Sequence, residues 1–445
     1  MRRKEGALAA VIRFENLGGI IWSPRFKRYY FLEQKISDEL YEKIVNRGMK
    51  ISEALNDMSQ LKEKFYDIGV DDDARIIVNK NKTNRPLYAP LEYYFDYTNK
   101  CNLRCKDCYN KKHLGQTTME LNNIANIIKE MGELGIKRVY LAGGEPTIDI
   151  PALKTYIDTA YENGITTSMV TNGTLLTDEL CRYLLSRELV DISVSIDGWD
   201  EESNKLRRND GMFKEAVEGV KRLVKIKKEL GNTVTEICVK PIIDRTQNEE
   251  FFEKMIALTL ELKADKVKFA NPERSLNHSR GYYSNDVDSY YRTIDLIASL
   301  KKKYADKLIV TNCTNPCVGF KNIGIAGMHG CIGGQELIAI HADGRITPCL
   351  MNHIVLGNYN EYGSMKNFYN TDNLEKYAKR IDYPECYDCK LYASCRGGCQ
   401  VRKIVQCGDT TGRDPICPIE NNINLDGVVP IEEDVLMPIW VAHSL

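Results

Sequence analysis

The sequence predicts an α/β protein. A sheet of six β/α units is preceded by a small winged-helix-like module and followed by a loop-rich, cysteine-rich tail. Three observations carry the prediction. Between Leu91 and Ala270, strand-like and helix-like segments alternate. Before residue 79, three short strand patterns precede two helical ones. After Lys307, regular periodicity fades and cysteines accumulate. A chain of 445 residues has room for about three domains, expected here at 1–85, 86–306 and 307–445.

In the first module, Val11-Ile12-Arg13-Phe14 alternates, Gly18-Gly19 turns the chain, and Ile20-Ile21-Trp22 and Tyr29–Leu32 form two further strands. Ser37 is expected to cap a helix carrying Leu40, Ile44 and Val45, and Ile51-Ser52-Glu53-Ala54-Leu55 opens another. Asp71-Asp72-Asp73 and the polar run from Asn79 to Asn84 read as linker.

The central region has strands at Leu91–Phe95, Arg138–Leu141, Thr167–Val170, Asp191–Ile196, Glu236–Val239 and Lys266–Ala270. The first connecting helix presents Leu121, Ile124, Ile127, Ile128, Met131 and Leu134 on one face, a 3.6-residue period. Helices follow at Ala152–Glu162, Asp178–Arg187, Phe213–Leu230 and Glu249–Leu262. Such units in series imply a parallel sheet with right-handed crossovers, either open or a partial barrel, with ligands gathered at the carboxyl ends of its strands. The tail cannot build a large core from its own residues, so another agent must order it.

Composition narrows the function. Lys plus Arg number 61 against 62 Asp plus Glu, so the net charge of −1 gives no global support for nucleic-acid binding. No apolar run approaches the roughly 20 residues of a membrane helix. Arg13 interrupts the apolar stretch after Met1-Arg2-Arg3-Lys4, so no signal peptide is expected. Fifteen cysteines, an odd number, then point to a reducing cytoplasm and not to a disulfide framework.

The cysteines are clustered. Cys101, Cys105 and Cys108 lie on one short loop directly after the first central strand and before Tyr109. Three thiolates there can ligate three irons of a 4Fe–4S cluster and leave the fourth open to a small molecule. A structural zinc site usually takes four ligands. This C-x3-C-x2-C pattern with its following aromatic closely resembles the signature of the radical S-adenosylmethionine (radical SAM) superfamily. The resemblance implies a partial (β/α)6 TIM-like barrel and a cluster whose open iron binds S-adenosylmethionine. One electron then cleaves that molecule to a 5′-deoxyadenosyl radical, which abstracts hydrogen from substrate. It also implies S-adenosylmethionine contacts at Tyr109, at Gly143, Gly144 and Glu145 of Gly143-Gly144-Glu145-Pro146, at Asn172 in Thr171-Asn172-Gly173, and at Ser195 and Asp197. Arg207 resembles the arginine that grips the carboxylate, with Arg208 as the alternative register.

The tail cysteines keep their own spacing. Cys331 precedes Gly344 and Cys349; then come Cys386-x2-Cys389-x5-Cys395-x3-Cys399, and finally Cys417. This resembles the seven-cysteine SPASM extension, whose members carry two auxiliary 4Fe–4S clusters. That implies Cys331, Cys349 and Cys399 on the first and Cys386, Cys389, Cys395 and Cys417 on the second, giving three clusters in all. Cys313 or Cys317 would complete the first. Clusters that cross-link distant segments would order such a tail. Cys181 and Cys238 read as core residues, and Cys407 has no assigned partner.

The first module resembles the precursor-recognition element of enzymes that modify ribosomally made peptides. An exposed sheet edge can accept a leader peptide as an added strand. Together the resemblances imply a cytoplasmic radical SAM/SPASM peptide maturase that forms a thioether or carbon–carbon cross-link. It would need a leader-bearing precursor and an external one-electron reductant of flavodoxin or ferredoxin type. Neither nucleic acid nor membrane is expected as a partner. The alternatives are a formylglycine-generating sulfatase maturase, a small-molecule radical SAM oxidoreductase, and a non-enzymatic regulator.

Overall fold

The computed structural model describes residues 9–24, 28–79, 85–106, 108–209, 211–243, 248–270, 287–304, 308–311, 330–381, 383–389, 392–408 and 410–422. Two sheets organise them.

The first sheet has the order β3-β2-β1-β4, from β1 (Val11–Phe14), β2 (Gly19–Ser23), β3 (Arg28–Leu32) and β4 (Arg75–Val78). β1, β2 and β3 form antiparallel hairpins, and β4 returns parallel to β1. β4 is additional to the three expected strands. Its four residues lie between polar runs, and only the pairing with distant β1 makes them a strand. Helices α1 (Gln34–Tyr41), α2 (Ile51–Ala54) and α3 (Ser59–Asp67) cover one face. Ser37 does not cap α1. It lies inside the helix, and its hydroxyl donates to the Gly18 carbonyl at 2.7 Å, pinning α1 to the β1–β2 turn. Period-two alternation divides the side chains: Ile12, Phe14, Ile21 and Leu32 pack with these helices, while Val11, Ile20, Trp22 and Ile77 pack with Leu87 and Leu91.

The second sheet has ten strands in the order β11-β10-β9-β8-β7-β6-β5-β12-β13-β14. β5 (Glu92–Asp96), β6 (Arg138–Leu141), β7 (Thr166–Thr171), β8 (Asp191–Val194), β9 (Glu236–Val239), β10 (Lys266–Ala270) and β11 (Leu308–Thr311) are all parallel. The crossovers are α4 (Leu121–Glu133), α5 (Ile150–Glu162), α6 (Asp178–Ser186), the short α7 (Glu201–Asn204) with α8 (Met212–Glu229), α9 (Glu249–Glu261) and α10 (Val287–Tyr304). These six β/α units make the partial TIM-like barrel, which is left open.

Alternate residues divide this sheet as well. Val139, Leu141, Met169, Ile192, Val194, Ile237, Val239, Val267 and Phe269 join the helices in one continuous core. The opposite face is polar. Asp191 accepts from Ser168 (2.8 Å) and Ser193 (2.9 Å) and pairs with Lys268 (2.8 Å). Tyr140 donates to Glu92 at 2.9 Å. Cys181 sits in the apolar core as expected. Cys238 is buried on the polar side, within electrostatic reach of Lys268 and Asp191.

The tail extends this sheet. β12 (Leu337–His341) pairs parallel with β5, placing His341 opposite Asp96, and β13 (Arg345–Thr347) and β14 (Gly357–Asn358) follow antiparallel. Tyr359, Met365, Phe368, Tyr369 and Tyr377 join the barrel's core. The tail is thus ordered partly by the barrel's own apolar surface.

The first module docks where the barrel strands begin. Arg13 is fully buried, pairs with Glu15, and donates to the carbonyls of Ala89, Pro90 (3.1 Å) and Gly135 (3.4 Å). Arg75 donates to Gly132 O at 2.8 Å and Asn163 O at 2.9 Å, at the carboxyl ends of α4 and α5. Guanidiniums suit those positions because the last helical carbonyls lack intrahelical partners. Among the described residues, no helix is long and apolar enough to cross a membrane.

Candidate iron–sulfur and S-adenosylmethionine site

The first cysteine loop leaves β5 at the carboxyl end of the barrel. Cys101, Cys105 and Cys108 are close enough for the charge of the latter two to act on Cys101, whose thiol burial pushes up to about 11. Leu103 N–H points at the Cys101 sulfur (3.4 Å). Arg208 Nη1 lies 3.2 Å from the Cys105 sulfur.

The Gly143-Gly144-Glu145 segment holds this loop in place. Gly144 N donates to Thr98 O (3.0 Å) and Glu145 N to Lys100 O (2.7 Å). A Cβ on Gly144 would stand 2.0 Å from Lys100 O, so glycine is required by the approach of the chain to itself. Gly143, at φ +102°, donates its N–H to Tyr109 Oη at 3.1 Å. All three amides have partners within the chain.

Glu145 is likewise turned inward. Its carboxylate accepts from Thr147 N (3.1 Å), Thr147 Oγ1 (2.5 Å), Thr171 Oγ1 (2.6 Å) and Asn172 N (2.7 Å). It braces the ends of β6 and β7. Asn172 reaches the cysteine loop, donating to Asn102 Oδ1 at 2.9 Å. Ser195 N donates to Thr171 O at 2.9 Å.

Asp197 is buried after β8. Burial opposes its charge, but Arg208 at 2.6 Å and Arg207 at 3.6 Å hold its carboxyl below the usual range. Arg208 therefore bridges Asp197 and Cys105, and Arg207 stands beside the same carboxylate. Arg207 O also accepts from Lys106 N at 3.1 Å, fastening the cysteine loop to the segment after β8.

The tail brings its cysteines together in two groups. Cys386, Cys389, Cys395 and Cys417 line one cavity with Tyr392, Arg413 and Asp414. Cys331 and Cys399 both act electrostatically on half-buried Cys349, whose thiol is pushed well up by desolvation. Asp414 joins the two groups: it accepts from Cys399 N (2.6 Å) and Ile416 N (3.1 Å) and pairs with Arg402 at 2.7 Å, both side chains almost fully buried. Cys313 and Cys317 lie outside the described residues. Among the described residues no three such donors converge closely enough to hold a single metal ion. A zinc ion would draw its thiolates to about 2.3 Å from one point. Four thiols lining one cavity are the donor set that a 4Fe–4S cluster takes.

Two further groups were not singled out by sequence reasoning, Asp96 and the His341–Arg345 turn. They line a polar cavity of about 110 Å³ beside the cysteine loop. Alternation along β5 puts Asp96 on the polar face with Glu92 and Tyr94, but acidic residues stand at many strand ends, so pattern alone does not isolate it.

The comparisons agree with this geometry. The model of the radical SAM superfamily matches residues 96–258, and that of the SPASM iron–sulfur cluster-binding domain matches residues 331–390. The chain thus carries a radical SAM domain followed by a SPASM iron–sulfur domain. It binds S-adenosylmethionine and a 4Fe–4S cluster in the barrel, with auxiliary iron–sulfur clusters in the tail.

Among particular proteins, it is 25% identical to the mycofactocin maturase MftC of Mycobacterium tuberculosis, over 75% of this chain and 84% of MftC. It is 23% identical to the PqqA peptide cyclase of Rhizobium meliloti, over 76% of this chain and 91% of that protein. The AdoMet-dependent heme synthase of Methanosarcina barkeri is 26% identical, over 74% and 96%. The crystal structure of SuiB of Streptococcus suis superposes with a TM-score of 0.69 at 18% identity, covering 94% of this chain and all of SuiB. The first module therefore belongs to the shared fold.

Proposed function

We propose that this enzyme matures a ribosomally made precursor peptide, introducing an intramolecular thioether or carbon–carbon cross-link. The observation that carries the reading is the first module: a small sheet whose β3, an edge strand, pairs within the sheet only with β2 among the described residues. An edge with unsatisfied backbone groups can take an extended leader as an additional strand. MftC and PqqA cyclase are named as maturase and peptide cyclase, and SuiB has been solved with its precursor peptide SuiA.

In this reading Cys101, Cys105 and Cys108 hold the catalytic cluster. Tyr109, Gly143, Gly144, Glu145, Asn172, Ser195, Asp197 and Arg207 surround S-adenosylmethionine, and the Glu145 carboxylate also ties β6 to β7. Reduced by one electron at the cluster, S-adenosylmethionine supplies the radical that abstracts substrate hydrogen. The chain's own part is to position the reacting groups and exclude water. The tail cysteines, with Cys313 or Cys317, hold the two auxiliary clusters. The domains divide at 1–85, 86–306 and 307–445, the last two sharing one sheet. A flavodoxin- or ferredoxin-type donor supplies the electron, in the cytoplasm.

The test is the accurate mass of a short peptide encoded beside the gene, co-expressed with the enzyme without oxygen. A loss of two hydrogens per modified site is expected, with fragmentation distinguishing sulfur–carbon from carbon–carbon linkage. An unchanged mass without deuterium uptake would discard the peptide and redirect the search to small molecules, such as the substrate of the heme synthase.

A further inference from the structure

Asp96 ends β5 on the barrel's polar face, 2% exposed, and neither carboxylate oxygen has a hydrogen-bond partner. A carboxylate so buried normally carries a cation or several donors. Here only the Ala142 amide approaches it, and burial pushes its carboxyl up to about 8. It opens on the 110 Å³ cavity with Asn99, Asn110, His113, His341 and Arg345.

The cavity's arginine does not neutralise Asp96, since Arg345 Nε is held by Asp343 at 2.6 Å. His341 is kept neutral, burial and Arg345 lowering it to about 3. Its Nε2 meets Thr347 Oγ1 at 2.9 Å, and Thr347 donates to Cys349 O at 2.9 Å. Thr347 thus accepts from His341, which fixes the Nε2–H tautomer. The cavity is therefore two hydrogen bonds from a residue of the first auxiliary cysteine group. On its other side Asp96 touches Gly143, whose added Cβ would meet the Asp96 side chain at 2.9 Å.

We propose that Asp96 is the proton acceptor of the reaction and that the cavity beside it seats the substrate residue that loses the proton. The proposal rests on the peptide reading above. Joining C–H and X–H into C–X releases two electrons and two protons. One of each leaves as a hydrogen atom, carried off by the radical from S-adenosylmethionine as 5′-deoxyadenosine. The second electron passes to an oxidised iron–sulfur cluster, and the second proton converts the Asp96 carboxylate into a carboxylic acid. A base that titrates near the working pH suits this task, and placing it between the radical site and an auxiliary cluster brings proton and electron acceptors to one substrate atom.

The experiment uses full-length enzyme with reconstituted clusters, the peptide co-expressed above, and the variants Asp96→Asn and Asp96→Glu. The asparagine variant should keep its iron content, S-adenosylmethionine affinity and 5′-deoxyadenosine formation within about threefold. Its cross-linked product should fall by roughly a hundredfold or more, with glutamate restoring part. Carbon-13 NMR of aspartate-labelled enzyme should show one carboxyl titrating near pH 8, absent from Asp96→Asn. The other groups facing Asp96 are Tyr109, His113, Tyr156 of α5, His341, Asp343 and Arg345.

Product from Asp96→Asn within threefold of wild type would overturn the proposal. So would a parallel loss of S-adenosylmethionine binding, which would make Asp96 a cofactor contact, or a titration below about pH 5. If wild-type enzyme cleaves S-adenosylmethionine but never changes the peptide mass, the peptide reading fails by that result. The titration then decides on Asp96 alone.

Discussion

Arg208, Asp197 and Cys105 form a chain of contacts at 2.6 and 3.2 Å in which one buried guanidinium serves both an acid and a thiol. Replacing Arg208 with Gln should leave the buried Asp197 charge to the more distant Arg207 and loosen the cysteine loop, lowering barrel-cluster iron; iron analysis against wild type checks this. Gly144→Ala should act on the same loop without touching charge, because its Cβ would collide with Lys100 O. About four irons per chain should be lost while the tail clusters remain. Asp191 and Lys268, only 11% and 12% exposed, make a comparable pair on the barrel's polar face. Lys268→Met should cost about 3–5 kcal/mol at neutral pH by leaving Asp191 unpaired. Burial raises the Asp191 carboxyl, but Lys268, Ser168 and Ser193 together hold it below its ordinary value. Its contribution is therefore present above about pH 4 and is lost as pH falls through the depressed value. Urea unfolding at pH 7 and pH 3 should show the Lys268→Met deficit shrinking in acid.

At the scale of elements, the question is how β3 and β4, the two edges of one small sheet, come to differ. β4 carries Arg75, which ties it to the ends of α4 and α5. On β3, Tyr29 lies under Lys137, whose Nζ is 4.0 Å from the ring centroid. Arg75→Ala should loosen β4 from the ends of α4 and α5, with Arg13 still holding the module, at a cost of about 1.5–3 kcal/mol per lost charged hydrogen bond. Hydrogen exchange in β4 and around Gly132 should report it. Proline at Tyr30 should block strand addition at β3, since proline removes a ladder donor. Unaltered peptide turnover in that variant would move the leader to another surface. In the tail, Cys389→Ala with Cys395→Ala should remove about four irons and stop product while sparing some 5′-deoxyadenosine formation.

At the scale of the molecule, the first module sits where the barrel strands begin, and the cysteine loop sits where they end. A leader held on β3 must therefore send its reacting segment past the barrel's length. β7 has six residues, about 20 Å at roughly 3.3 Å per residue. The spacer between the leader contact and the modified residue should need at least about six residues. Peptides with progressively shortened spacers should lose modification abruptly below that length, while still binding the module.

Much of this organisation is local, and so it is legible in the chain. The six β/α units follow from apolar period alone, because helices of period 3.6 and strands of period two must each bury one face. The cysteine groups follow from spacing, because a loop of three thiols at a strand end has few chemical uses. What the chain does not reveal depends on residues far apart in sequence. β4 exists through β1, and β12 through β5. Ser37 looks like a cap until the Gly18 carbonyl is brought to it. Nothing along the chain shows that the Glu145 carboxylate joins Thr147, Thr171 and Asn172. Asp96 is one acidic residue among many until β12 and the Arg345 turn bury it without a partner. The sequence by itself determined the fold class and the cluster chemistry, since both arise from neighbours along the chain. Tertiary structure alone decided which polar groups are satisfied and which remain available, since burial and partnership are set only when distant segments meet.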